Sequence, residues 1–155
     1  MISFVKGYVV EKSNDSFIID HHGMGYRIFT SNRSLEKAAR QEEVFVYTYL
    51  NVREDALTLF GFLDIEEMQM FELLITVKGI GPKVAIGILS GLTPSTLQKA
   101  IATKDLETLS KAPGVGKKTA ERLHLELKDK IFWSDEGHEI EEANNVESDD
   151  EVTAA

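Results

Sequence analysis

The feature that most limits what this chain can fold into is a segment that occurs twice. Leu73–Leu89 reads LLITVKGIGPKVAIGIL, and a second segment, ending at Leu127, reads LSKAPGVGKKTAERLHLEL. At an offset of 35 residues, Leu74 falls on Leu109, Val77 on Ala112, Gly79 on Gly114, Ile80 on Val115 and Gly81 on Gly116. Lys83 then falls on Lys118, Ala85 on Ala120 and Ile88 on Leu123.

Each copy predicts a helix, a glycine–apolar–glycine turn and a second helix. Flanking glycines can take positive φ and leave the backbone open to close approach. The residue between them, Ile80 or Val115, would anchor the turn in a core. The second helix then starts with unpaired N–H groups, and its dipole favours an anion there. Lys83 in the first copy, and Lys117 and Lys118 in the second, fall in that first turn. A cation at this end opposes the helix dipole, which is poor for stability and sensible beside a phosphate. Lys78 and Lys111 precede the glycines and add to the field. One such turn alone is ordinarily a helix connection with surface lysines. Two in register, with basic residues at the same helix end, point to a phosphate backbone. Neither copy has the G-x-x-x-x-G-K-[ST] spacing of a triphosphate-binding loop. Both resemble helix-hairpin-helix motifs, which hold the DNA backbone without reading bases. Phosphate contacts give affinity and register but little sequence information. Two hairpins with about two contacts each predict a log–log salt slope of roughly −3 to −4 per subunit. One subunit alone should bind weakly, which implies oligomerisation.

The first 62 residues follow a different period. Alternating or continuous apolar runs, separated by turn signals, predict strands near Ile2–Lys12, Ser16–His21, Gly25–Thr30, Glu43–Asn51 and Ala56–Phe62. A short helix over Asn32–Arg40, capped by Ser31 or Asn32, separates the third strand from the fourth. Five strands with a helix at that place match an OB-type barrel, a fold that commonly binds oligonucleotides. From Asp64 the period becomes helical. DIEEMQMFELLITV puts Ile65, Met68, Phe71, Leu74 and Ile75 on one face, with Asp64 as N-cap and both methionines as packing residues. Further helices are expected over Pro82–Ser90, Pro94–Ala102, Leu106–Lys111 and Lys117–Ile131. The fold class is therefore multi-domain α and β: an OB-fold barrel over 1–63, a tandem helix-hairpin-helix region over 64–132, and a flexible acidic linker over 133–155.

The charge of −9 looks hostile to nucleic acid until it is placed. Nine of the 26 acidic residues lie beyond residue 130, where there is no Lys or Arg, so 17 basic residues face 17 acidic ones in the rest. The tail DEGHEIEEANNVESDDEVTAA accounts for the whole excess and has the composition of a disordered segment. With no cysteine, thiolate chemistry and disulfides are excluded. No apolar run is long enough to span a bilayer, and MISFVKGYVV reads as a strand rather than a signal peptide, so a cytoplasmic protein is expected.

One stretch resists a purely structural reading. NVREDALTLFGF (Asn51–Phe62) puts Glu54 and Asp55 at the tip of an expected hairpin, beside Arg53. Two carboxylates there could be a solvated turn, a metal or acid/base pair, or a device aimed at a partner. An OB-like barrel followed by two helix-hairpin-helix motifs, with VREDALTLFGF at their junction, resembles the RuvA family of Holliday-junction-binding proteins. The most specific pieces are VREDALTLFGF, GIGPKVAIGILSG and PGVGKKTAERLHLELKDK, and the likeness runs from Met1 to about Phe132. The resemblance implies a homotetramer, with two tetramers able to sandwich a junction as an octamer, holding four-way DNA open and square-planar. It implies backbone contacts from Gly79, Ile80, Gly81, Lys83, Gly114, Val115, Gly116, Lys117 and Lys118. It also implies an acidic pin at the crossover, at Glu54 and Asp55, and no catalytic residue, metal or cofactor. The implied partners are a RuvB-type hexameric ATPase that drives branch migration in recombination and repair, and a junction resolvase. Family members continue into a third helical domain that contacts the motor. This chain stops at EVTAA, so it is expected to bind junctions without stimulating the motor normally.

The competing reading is a helix-hairpin-helix repair nuclease or lyase. A nuclease would need Glu54 and Asp55 to hold a metal, yet neighbours in sequence do not naturally converge on one ion. A lyase would need a catalytic Asp or Lys in a pocket beyond the hairpins, and the sequence shows no segment for one. His21 and His22 read as exposed turn residues, His124 and His138 lie in no acid/base constellation, and Trp133 reads as packing after the last helix.

Overall fold

The computed structural model describes residues 1–131, and the acidic stretch with Trp133 and His138 lies outside the described residues. Strands β1 (Phe4–Lys12), β2 (Ser16–His21), β3 (Met24–Phe29), β4 (Glu43–Val52) and β5 (Leu57–Phe62) close into a barrel in the order β1-β2-β3-β5-β4. All pairings are antiparallel except β3 with β5, which run parallel at Ile28↔Leu59 and Phe29↔Phe60. Parallel neighbours cannot be joined by a tight turn. Helix α1 (Asn32–Lys37) and strand β4 fill that connection.

The period-2 alternation is visible along β1, where Val5 and Val9 are buried while Phe4, Lys6, Tyr8 and Val10 face outward. Val5, Val9, Phe17, Ile19, Ile28, Val46 and Leu59 form the barrel core. Strand β5 uses both of its faces. Leu59 points inward, while Phe60 and Phe62 join the core of the helices that follow. Gly61 lies between them because a methyl there would stand 2.8 Å from Tyr47 O and from the side chains of Ile28 and Val46.

The helical part consists of α2 (Ile65–Leu74), α3 (Pro82–Gly91), α4 (Pro94–Ala102), α5 (Leu106–Ser110) and α6 (Lys117–Leu127). Its centre is Phe71, fully buried, with ring centroids 5.1 Å from Phe62, 5.6 Å from Tyr49 and 6.1 Å from Phe60. Burying one such side chain contributes about 1.5–3 kcal/mol. All three of these ring contacts are with the barrel.

The expected elements are all present, with local differences in extent, capping and burial. Helix α1 stops at Lys37 rather than Arg40, because Ala38 is extended and fully buried and β1 captures the chain beyond it. Gln41 N–H donates to Val9 O at 2.7 Å, and Val9 N–H donates to Glu42 O at 3.1 Å. Of the two expected caps for α1, Ser31 is the one used, its hydroxyl accepting from Ser34 N–H at 3.3 Å. Asp64 occupies the N-cap position of α2 but makes no cap hydrogen bond; its carboxylate is drawn 2.6 Å from Lys37 Nζ. Ile65, expected on the buried face of α2, is 40% exposed, while Glu67 is buried; Met68 and Met70 pack as expected. Helix α6 ends at Leu127, and Ile131 closes the last turn through Ile131 N–H to Leu127 O at 3.2 Å.

Candidate nucleic-acid interface

The sequence repeat is a conformational repeat. Gly79 has φ +92° and Gly114 φ +80°, a region in which an L side chain is strained. Gly81 (φ −92°, ψ 178°) and Gly116 (φ −87°, ψ −179°) are both extended N-caps. Hydrogen bonds recur at the same offset. Ile80 N–H donates to Val77 O at 3.0 Å, and Val115 N–H to Ala112 O at 3.1 Å. Ala85 N–H donates to Gly81 O at 3.0 Å, and Ala120 N–H to Gly116 O at 2.9 Å. Ile80 and Val115 are 4% and 5% exposed, so each turn is pinned by the apolar residue between its glycines.

The two turns also dock on one another reciprocally. Arg122 Nη1, on α6, donates to Lys78 O at 3.3 Å beside Gly79. At the equivalent place in the other copy, a methyl on Gly87 of α3 would lie 3.8 Å from Pro113 O, beside Gly114. Residues 78 and 113, like 87 and 122, are equivalent under the repeat, so the contact is reciprocal. A methyl on Gly114 would also lie 3.6 Å from Val84, in the first turn of α3. The turn that leads into α6 therefore packs against the start of α3.

These N-termini are bare. Glycine caps supply no side-chain oxygen, and neither helix has a side-chain cap hydrogen bond or an acidic residue in its first turn. Around Gly81 and Gly116 no heavy atom would come within 4 Å of an added methyl. By contrast α4 and α5 are capped by side chains. Thr93 accepts from Thr96 N–H at 3.1 Å, and Asp105 from Thr108 N–H at 3.2 Å. The Thr108 hydroxyl and amide hold the Asp105 carboxyl below its ordinary range. Lys78, Lys83, Lys111, Lys117 and Lys118 are all exposed. Among the described residues the ion pairs are Lys6–Glu43, Arg33–Glu67 and Lys37–Asp64, and none of them neutralises a hairpin lysine. Unpaired N–H groups, a dipole end and uncompensated lysines together make an anion-binding surface.

Glu54 and Asp55 form the two-residue tip of the β4–β5 hairpin. It is closed by Arg53 N–H donating to Ala56 O at 2.9 Å below the Val52↔Leu57 pair. Both acids are exposed, and they lie on the barrel, apart from the hairpins. His21 and His22 are exposed, with His21 Nδ1 2.6 Å from Lys6 O, while His124 Nδ1 lies 2.6 Å from Ile101 O. Sequence reasoning missed Arg122. Its partner is a backbone carbonyl far along the chain, and the equivalent position in the first copy is a glycine. The one available signal was its place one turn after Lys118 on the same helix.

Comparison with known proteins agrees with this geometry. The family described as "RuvA N terminal domain" matches residues 1–61, and "SAM-like Helix-hairpin-helix tandem" matches residues 71–129. The chain is 50% identical over 132 residues to the "Holliday junction branch migration complex subunit RuvA" of Acetivibrio thermocellus, covering 84% of this chain and 65% of that protein. It is 47% identical over 151 residues to the protein of the same name from Alkaliphilus oremlandii, covering 97% of this chain and 78% of that protein. The protein of that name from Clostridium acetobutylicum is 41% identical over 150 residues, with 96% and 75% covered. The chain thus spans about two-thirds to three-quarters of the length of these relatives. A closed barrel, a twice-repeated hairpin and identity of this extent together establish that the chain belongs to the RuvA family.

Proposed function

We propose that the chain is a non-catalytic DNA-binding subunit that recognises four-way junctions. It holds them open and square-planar, and supports branch migration driven by a RuvB-type hexameric motor in which the ATPase resides. The observation that carries this reading is the pair of bare helix N-termini, each entered through a turn of the same conformation and flanked by uncompensated lysines. Gly79, Ile80, Gly81 and Lys83 in one hairpin, and Gly114, Val115, Gly116, Lys117 and Lys118 in the other, are the proposed backbone-binding residues. In this reading 1–63 is the barrel domain and 64–132 the DNA-binding domain.

Glu54 and Asp55 are proposed as an acidic pin. In a homotetramer four tips would gather near the axis, bringing about eight negative charges to the place where strands exchange, and carboxylates repel phosphates. Lysines would attract the arms while the pin keeps the crossover open. The homotetramer, its pairing into an octamer, a junction resolvase partner and cytoplasmic residence belong to the same proposal. Among the described residues no helix is long and apolar enough to cross a membrane.

The test is a mobility shift with a labelled four-way junction and a linear duplex of equal length, with and without Mg²⁺. A shifted, uncut junction, bound in preference to duplex, is expected. Equal affinity for both would refute junction recognition, and cleavage products would favour a nuclease.

A further inference from the structure

The first turn of α2 carries a carboxylate with nowhere to go. Glu67 is 1% exposed and sits where the helices meet the barrel. Ser31, at the barrel end of α1, donates its hydroxyl to Glu67 Oε2 at 2.5 Å while accepting Ser34 N–H at 3.3 Å. The same oxygen thus caps α1 and ties it to α2. Arg33 Nη1 lies 3.6 Å from Glu67 Oε1, an ion pair too long for a hydrogen bond, and both atoms lack a hydrogen-bonding partner. Beside them is a cavity of about 190 Å³ lined by Arg33, Asp64, Glu66, Glu67, Pro94 and Ser95. Three more polar contacts run from α1 to the helical side. Lys37 Nζ meets Asp64 at 2.6 Å, Leu63 N–H donates to Ser34 Oγ at 3.0 Å, and Asn32 N–H donates to Ser90 Oγ at 3.3 Å.

This arrangement is poor for stability. A buried carboxylate with one short hydrogen bond and one loose ion pair costs desolvation that its partners offset only in part. It is well suited to direction. Apolar contact between Phe62, Phe60 and Phe71 holds the two parts together but tolerates sliding, whereas a hydroxyl–carboxylate bond does not. We propose that Glu67 is a positioning residue: through Ser31 and Arg33 it fixes the angle at which the hairpins are presented relative to the Glu54–Asp55 tip, and so sets preference for a junction over a duplex. This rests on the function proposed above. A duplex needs only the hairpins, but a junction needs hairpins and tip in one register.

The carboxylate also titrates. Burial raises the Glu67 pKa above its ordinary value, against the Ser31 hydrogen bond and the Arg33 charge. Of the other charged groups facing it, Asp64 raises the pKa further and Lys37 lowers it. From α4, Pro94 and Ser95 line the cavity beside it, and Glu66 completes the lining. A raised folded-state pKa means that the stability gained from protonation is fully present below the unfolded pKa and is lost as pH rises through the folded one. Glu67→Gln, which mimics the protonated acid, should therefore leave the fold at neutral pH as stable as before or more so.

The experiment combines stability, binding and distance. Expected for Glu67→Gln are an unchanged or higher melting temperature, unchanged linear-duplex affinity, and a junction-over-duplex preference reduced about fivefold or more. Wild-type preference should fall on acidification and that of the variant should be flat. Arg33→Gln, which removes a charge that lowers the Glu67 pKa, should move the loss of preference to higher pH. The chain has no native cysteine, so Asn14→Cys on the barrel and Glu107→Cys on α5 can carry spin labels. The barrel-to-helix distance, measured without DNA, should broaden or shift in Glu67→Gln. A narrow, unshifted distance with full junction preference overturns the positioning role. If the wild type itself shows no junction preference, the proposed function fails, and the distance measurement alone then decides for or against Glu67.

Discussion

Gly79 and Gly81 flank the same isoleucine, yet substituting them should have opposite effects. Gly79 has φ +92°, so alanine there is strained whatever the available space. The left-handed region costs a non-glycine residue about 1–2 kcal/mol. Gly81 is extended at φ −92° and ψ 178°, a conformation alanine adopts freely, with no heavy atom within 4 Å of the added methyl. Where the native backbone suits alanine, replacing glycine stabilises by about 0.4–1 kcal/mol, through the unfolded chain's lost freedom. At about 2–4 °C per kcal/mol for a chain of this size, Gly79→Ala should lower the melting temperature by about 2–8 °C, and Gly81→Ala should leave it level or raise it by up to about 4 °C. Binding should reverse the order of concern. The methyl of Gly81→Ala stands in the open space before the bare N-terminus of α3, where the proposed function brings a phosphate. Linear-duplex affinity at fixed salt should then fall about tenfold, a loss of about 1.4 kcal/mol, in a protein that is no less stable. Thermal melts and fluorescence anisotropy on the same preparations decide it. If Gly81→Ala destabilises as much as Gly79→Ala, or binds duplex as well as wild type, the separation of a turn glycine from an approach glycine is wrong.

Lys117→Ala with Lys118→Ala should weaken binding to all DNA sequences alike and flatten the log–log salt slope by about 1 to 2, measured by titration across salt concentrations. An unchanged slope would mean that these lysines meet no phosphate. Glu54→Gln with Asp55→Asn should leave melting unchanged and alter junction preference and branch-migration rate with the motor present. If neither changes, the pair is only a turn. Phe71→Ala should cost about 3–5 kcal/mol, because its ring touches Tyr49, Phe60 and Phe62 of the barrel. A cost under about 1 kcal/mol in calorimetry would show that barrel and helices stand independently.

The parts of the fold that were legible in advance depend on near neighbours. The alternation of Val5 and Val9 with Lys6 and Tyr8 announces a strand, and glycines around Ile80 and Val115 announce a tight turn. Capping was only half legible. Ser31 caps α1 as its residue type suggests, but Asp64, of an equally suitable type, gives its carboxylate to Lys37. A serine hydroxyl can accept from the backbone and still donate elsewhere, whereas an exposed lysine draws a carboxylate away from a neutral amide. Helix α1 ends early for a similar reason, since β1 takes the backbone groups of Gln41 and Glu42.

For the candidate site, the sequence by itself determined the repeat, the turn chemistry, the lysines at two helix starts and the acidic hairpin tip. Each is written within a dozen residues, where periodicity and φ preference act. Only the tertiary structure decided what joins them. The docking of the hairpins on one another, with Arg122 reaching a carbonyl 44 residues away, joins the two copies of the repeat. The Ser31–Glu67 bond, across 36 residues, ties the barrel with its acidic tip to the helices with their hairpins. Such contacts have no local signature, because a side chain's partner is chosen by the packing that brings distant segments together. A buried glutamate and an exposed one look the same in a helical pattern until the surface it meets is known.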